Sequence, residues 1–240
     1  MIAHEPSLVI LSITIAILGT FTACVMTANI GALSVNEGRM RMVMAAITLG
    51  GSIWATNFVG LLAIEVPVNL EYNAVPLGIS AVVALAGTAA AFLLLWPKRA
   101  DAMARLPAAA LFLGIAIVAT SYFGIAAIAG RGLQLSWFLT FICIAFSIET
   151  AGLLLWFFCY PRGVVLTLSG AVVLGLLLTA THYLATASTI GLQQTLLAIP
   201  ASSSGVSERY LAWAATIMTY LLCSICLSVF VIAQLREEIE

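Results

Sequence analysis

Apolar residues run through this chain in seven long blocks, separated by short polar intervals. The blocks fall near residues 8–30, 41–64, 76–96, 107–129, 135–158, 163–190 and 208–233. Each can cross a hydrocarbon core, which takes about 20 residues of helix. Strands of a membrane barrel would be segments of about ten residues alternating in polarity, whereas these blocks are apolar throughout. The pattern predicts an all-α polytopic membrane protein with seven transmembrane helices. Composition agrees: 63% of residues are hydrophobic, 8% are charged and the mean hydropathy is +1.16, against about 25% charged in a soluble domain.

A second pattern lies inside the first. The segments ITLGGSIWATNFVGLLA (47–63), LFLGIAIVATSYFGIAA (111–127) and VVLGLLLTATHYLATAS (172–188) repeat one another, with Gly50, Gly114 and Gly175 preceding Asn57, Ser121 and His182 at a constant spacing. An aromatic follows each time: Phe58, Tyr122 and Tyr183. The odd blocks echo too, Ser12-x3-Ala16-x3-Thr20 returning as Ser80-x3-Ala84-x3-Thr88, and Ala91 to Trp96 returning as Ala151 to Trp156. Such self-similarity predicts three two-helix repeats, at about 7–64, 72–129 and 135–190, with a last helix at 208–234 and residues 235–240 opening a tail or linker. Small residues at four-residue spacing read as seams where helices approach closely.

Charge orients the blocks. Arg39, Arg41, Lys98, Arg99, Arg105, Arg162 and Arg236 fall on one side, and Arg131 and Arg209 on the other. The positive-inside rule then places the N-terminus outside and the C-terminus in the cytoplasm. No Lys or Arg precedes the first block and no small-residue cleavage site follows it, so it reads as a retained span. Residues 191–207 form a polar, Ser-rich outer connection, read as a cap or a linker. Cys24, Cys143, Cys159, Cys223 and Cys226 all lie within spans, which argues against a disulfide framework. The CxxC at Cys223 and Cys226 reads as packing, because no second pair or histidine accompanies it. A net charge of −1 gives no reason to expect nucleic acid.

These three repeats resemble the MHYT domain, a bacterial integral-membrane sensor module that is joined in many proteins to cytoplasmic domains making or degrading cyclic di-GMP, or to histidine kinases. The resemblance covers nearly all of residues 7–190. It implies location in the bacterial inner membrane, a sensory role, and copper held by motif methionines and histidines, since thioether and imidazole together favour that metal. The motif here departs from the family's Met-His-Tyr-Thr-Gly-Met. It reads Thr56-Asn57-Phe58-Val59-Gly60-Leu61, then Thr120-Ser121-Tyr122-Phe123-Gly124-Ile125, then Thr181-His182-Tyr183-Leu184-Ala185-Thr186. The methionines are gone and one histidine of three remains. The fold is therefore carried over and a copper cofactor is not; no metal or other cofactor is expected.

What remains is a candidate polar layer of Thr56, Asn57, Thr120, Ser121, Tyr122, Thr181, His182 and Tyr183. It reads either as a pocket for a small ligand or as hydrogen-bonded glue between helices. His182 can change charge near neutral pH. Glu149 lies near the middle of the fifth span, where a carboxylate is costly and marks a functional hypothesis. By helical rise, His182 is about 12 Å from the outer boundary and Glu149 about 21 Å, so pairing needs helix tilt or a water. Met26, Met40, Met42 and Met44 read as packing and lipid contact, and the tryptophans mostly as an interfacial belt.

The expected function is a membrane-embedded sensory or regulatory input module. It would relay a ligand or membrane signal through the seventh span to a cytoplasmic signalling domain or partner, in a lipid bilayer and with a homodimer as a possible assembly. The alternatives are a structural subunit of a larger membrane complex, a copper-linked gas or redox sensor as in the wider family, and a proton-coupled transporter using Glu149 and His182. No catalytic activity is expected of the membrane part, which has no nucleophile and base at a workable spacing.

Overall fold

Length and apolarity dominate the fold. The computed structural model describes residues 5–28, 30, 34–64, 72–95, 99–129, 134–160 and 163–190, with residues 213, 216, 217, 219–221, 223, 224 and 228. Six helices account for most of them: α1 (Pro6–Thr27), α2 (Val35–Leu62), α3 (Ala74–Leu95), α4 (Arg99–Ala129), α5 (Trp137–Cys159) and α6 (Val164–Ala187). All six are long and apolar enough to cross a membrane, and the chain is an all-α polytopic membrane protein. The predicted seventh span is represented by nine scattered helical residues, of which Thr216, Thr219 and Cys223 are buried. The connection at 191–207, the tail at 235–240, Cys226, and Arg131, Arg162, Arg209 and Arg236 lie outside the described residues.

The helices form a closed ring. α1 packs between α2 and α6, α3 between α2 and α4, and α5 between α4 and α6, while α2, α4 and α6 also meet one another at the centre. Three backbone hydrogen bonds fix this arrangement at equivalent places: Glu5 N–H to Ala63 C=O (2.8 Å), Asn73 to Ala127 (2.9 Å) and Ser136 to Ser188 (2.8 Å). Each ties the residue before an odd helix to the end of the even helix that follows. In the third repeat the tie extends into two short antiparallel strands, β1 (Gln134–Leu135) and β2 (Thr189–Ile190), which the helical pattern did not predict.

The repeat glycines bring neighbouring repeats together. A Cβ on Gly50 would stand 3.0 Å from the Leu85 Cα on α3, one on Gly114 2.7 Å from the Ile148 Cα on α5, and one on Gly175 2.8 Å from the Ile17 backbone nitrogen on α1. Each even helix thus rests its glycine on the backbone of the next repeat's odd helix, and the third closes on the first. Within a repeat, Gly19 accepts Ser52 and Gly87 accepts Ala116, each leaving no room for a side chain of its own. The corresponding pair in the third repeat is Thr150 and Leu177, and α5 packs more loosely on α6 than α1 on α2 or α3 on α4. Phe157 fills that wider gap, its ring lying where a Cβ on Gly170 would be.

The contacts also settle how the odd helices align. Ser12, Ser80 and Cys143 are equivalent, followed in step by Ala16, Ala84 and Ser147 and by Thr20, Thr88 and Ala151, all buried. This pairs Ala91 with Leu154 and corrects the alignment of Ala91 with Ala151 by nearly one helical turn. The start of α4 also differs from its apolar block. The helix begins at Arg99, two turns before the apolar block, with Pro107 inside it.

Candidate functional site

Near the C-terminal ends of the even helices, one side chain from each repeat reaches the centre. Asn57 Oδ1 accepts a hydrogen bond from Ser121 Oγ (2.6 Å) and lies 2.9 Å from His182 Nδ1. Its Nδ2 donates to the Ile53 carbonyl one turn back at 2.8 Å, which fixes the amide orientation. Because the oxygen can only accept, the ring proton of His182 must sit on Nδ1. All three side chains are buried, with exposures of 5% for Asn57, none for Ser121 and 1% for His182. The triad joins α2, α4 and α6, and thereby all three repeats.

Space for the imidazole comes from Gly60, one turn beyond Asn57. A Cβ there would lie 2.6 Å from both Cδ2 and Nε2 of the His182 ring. The motif glycine therefore seats the neighbouring repeat's histidine. Sequence reasoning missed this role, although the small residues Gly60, Gly124 and Ala185 at equal spacing after Asn57, Ser121 and His182 were its signal.

The other candidates do not join the triad. Thr56 Oγ1 bonds the Ser12 carbonyl (3.4 Å), Thr120 Oγ1 the Ala116 and Ser80 carbonyls (2.7 and 3.4 Å), and Thr181 Oγ1 the Leu177 carbonyl (3.0 Å). They bind helix backbone. Tyr122 turns to the ring's edge, where its hydroxyl meets Ser188 Oγ at 2.7 Å and Thr140 Oγ1 at 3.4 Å. It also interacts with Cys143, as Tyr183 does with Ser12. In the first repeat Phe58 lacks a hydroxyl, and Trp54, stacked on it at 5.5 Å, donates from Nε1 to Ser80 Oγ at 3.1 Å. Trp54 is thus a packing residue within the bundle and not part of an interfacial belt.

Glu149 turns outward from α5 and is exposed on a face with Phe138, Phe141, Ile142 and Leu153. It makes no hydrogen bond or ion pair among the described residues, and His182 is enclosed on the other side of the ring wall. The two are not brought together. Met26 is buried, Met42 and Met44 pack on the core and Met40 is exposed. Among the described residues, no three His, Cys, Asp or Glu side chains form a group that could hold a metal ion.

A ring of three helix pairs locked by one polar side chain from each defines a class of multi-pass membrane domain built by internal triplication. The comparisons with known proteins then specify it: the family model for MHYT, the bacterial signalling protein N-terminal repeat, matches residues 50–109, and the chain carries this repeat. The cyclic di-GMP phosphodiesterase NbdA of Pseudomonas aeruginosa is 35% identical over 126 residues, 52% of this chain and 16% of that protein. The bifunctional diguanylate cyclase/cyclic di-GMP phosphodiesterase MucR of the same organism is 30% identical over 128 residues, 52% of this chain and 18% of that protein. The chain thus spans less than a fifth of the length of these relatives. No solved structure matches it.

Proposed function

We propose that this chain is a sensory input module of a bacterial inner membrane, with its N-terminus outside, its C-terminus in the cytoplasm, and a seventh span that carries its state to a cytoplasmic partner or fused domain of cyclic di-GMP signalling. The observation that carries the reading is the Asn57–Ser121–His182 triad. It is the one described place where all three repeats exchange side-chain hydrogen bonds, so a change there alters how the repeats sit on one another. The similarity to NbdA and MucR supplies the signalling context. Arg39, Arg41 and Arg105 gather at the starts of α2 and α4, which supports the orientation.

The reading does without copper. The motif positions offer one imidazole, one amide and one hydroxyl, with Nδ1 of the imidazole already engaged by Asn57, and this donor set does not fit a copper site. The module itself is read as non-catalytic. The test is the cyclic di-GMP content of cells that produce the parent chain, the Asn57→Leu variant at equal membrane abundance, or no chain. The parent should change the level relative to the null strain and the variant should shift it again. Equal levels in all three would overturn the reading.

A further inference from the structure

The seam between α2 and α3 opens on the outer surface of the ring as a groove of about 660 Å³. Ala46, Ala89 and Phe92 form its floor, where two small residues leave depth, and exposed Val43 and Leu93 form walls. One lining residue is charged: Arg39, at the groove's end nearest the start of α2. From Leu62, where α2 stops, back to Arg39 is about 35 Å of helix. A hydrocarbon core is about 30 Å thick, so Arg39 stands at headgroup level and the groove runs from it into the acyl region. Arg39 makes no hydrogen bond or ion pair among the described residues, and the nearby Glu37 is engaged by Ser34.

We propose that this groove binds an anionic phospholipid, with an acyl chain along the Ala46–Ala89 floor and the headgroup phosphate on the Arg39 guanidinium. The internal repeat provides a comparison within the same molecule. At the position of Arg39 the other even helices carry Met103 and Val164, so this position is cationic in one seam of three. The seam between α4 and α5 also carries Glu149 where the groove has Ala86, which disfavours an anion there. Charge complementarity at this position therefore favours the seam between the first and second repeats.

Native mass spectrometry of the purified full chain, equilibrated with phosphatidylglycerol or phosphatidylcholine of matched chains, tests the site. One cation at the membrane surface contributes about 1 kcal/mol, so phosphatidylglycerol should be retained about fivefold better. Arg39→Gln should erase that preference while helical content is unchanged. Ala89→Leu should lower retention of both lipids by filling the floor, and Arg105→Gln should leave the preference intact. Soluble glycerol phosphate should not displace the bound lipid. Preference surviving in Arg39→Gln, equal retention by the parent, or displacement by glycerol phosphate would each overturn the proposal.

Discussion

Asn57 works through a single amide that is committed on both sides: the nitrogen to its own helix, the oxygen to two other helices. Replacing it by leucine removes the acceptor shared by Ser121 Oγ and His182 Nδ1, although Ser121 Oγ keeps the Ile117 carbonyl at 3.2 Å. Side-chain hydrogen bonds within membranes average about 0.6 kcal/mol and reach about 1.7, so Asn57→Leu should destabilise by about 1–2 kcal/mol in thermal unfolding in detergent. Packing exerts the stronger control here. Gly60→Ala drives a methyl group into the His182 ring, and overpacking costs about 1–3 kcal/mol. In a His182→Ala background that cost should vanish, a coupling that a double-mutant cycle measures directly. A Gly60→Ala cost undiminished in that background would mean that the glycine serves its own helix and not the histidine. Of this site, Asn57, Ser121 and His182 were legible because each broke an apolar pattern at one repeated position. Thr56, Thr120 and Thr181 broke it as well, yet their hydroxyls fall back on carbonyls of their own or a neighbouring helix. A polar residue type in a span does not say which way its hydroxyl turns.

At the scale of the helix, hydropathy reveals the spans and misjudges their ends. α2 and α4 start before their apolar blocks, and at α2 a cap lets the helix run through polar residues. At α2 the Ser34 side chain and Glu37 form a capping box, the Glu37 N–H bonding Ser34 Oγ at 3.4 Å and the Ser34 N–H bonding the Glu37 carboxylate at 3.1 Å. Those hydrogen bonds from Ser34 hold the Glu37 carboxyl below its ordinary value near 4.5. A depressed carboxylate adds stability above that ordinary value and loses it as pH falls through the lower, folded value. The stability gap between the parent and Ser34→Ala should therefore be present at neutral pH and close on acidification toward pH 3, read by helicity and melting. A gap independent of pH would assign the effect to the serine alone. Repeat alignment was misread for a related reason. The leucine-rich run shared by α3 and α5 reflects apolar composition, while the buried small positions beginning at Ser80 and Cys143 carry the packing and set the true step. The same logic separates two glycines. Gly114→Ala should cost about 1–3 kcal/mol, because its Cβ meets α5 backbone at 2.7 Å. Gly152→Ala, with Ala110 at 3.6 Å, should be neutral or stabilising, since alanine is favoured in a helix by up to about 1 kcal/mol.

For the whole molecule, orientation decides whether the module can report inward. The triad lies toward the ends of α2, α4 and α6, and the described arginines lie at the starts of α2 and α4, so the ring has a polar lock at one face and cationic charge at the other. In the proposed orientation a lock in the outer half of the bilayer would receive a signal from outside while the seventh span would lead into the cytoplasm; the inverted protein would do the reverse. Val35, 74% exposed at the start of α2, and Val75, 68% exposed at the start of α3, mark the two faces. With the native cysteines replaced, a single cysteine from Val75→Cys should react with a membrane-impermeant maleimide in intact spheroplasts. One from Val35→Cys should react only after permeabilisation. The opposite labelling pattern would place the triad in the inner half and send the seventh span outward, which removes any route from this ring to a cytoplasmic cyclic di-GMP enzyme.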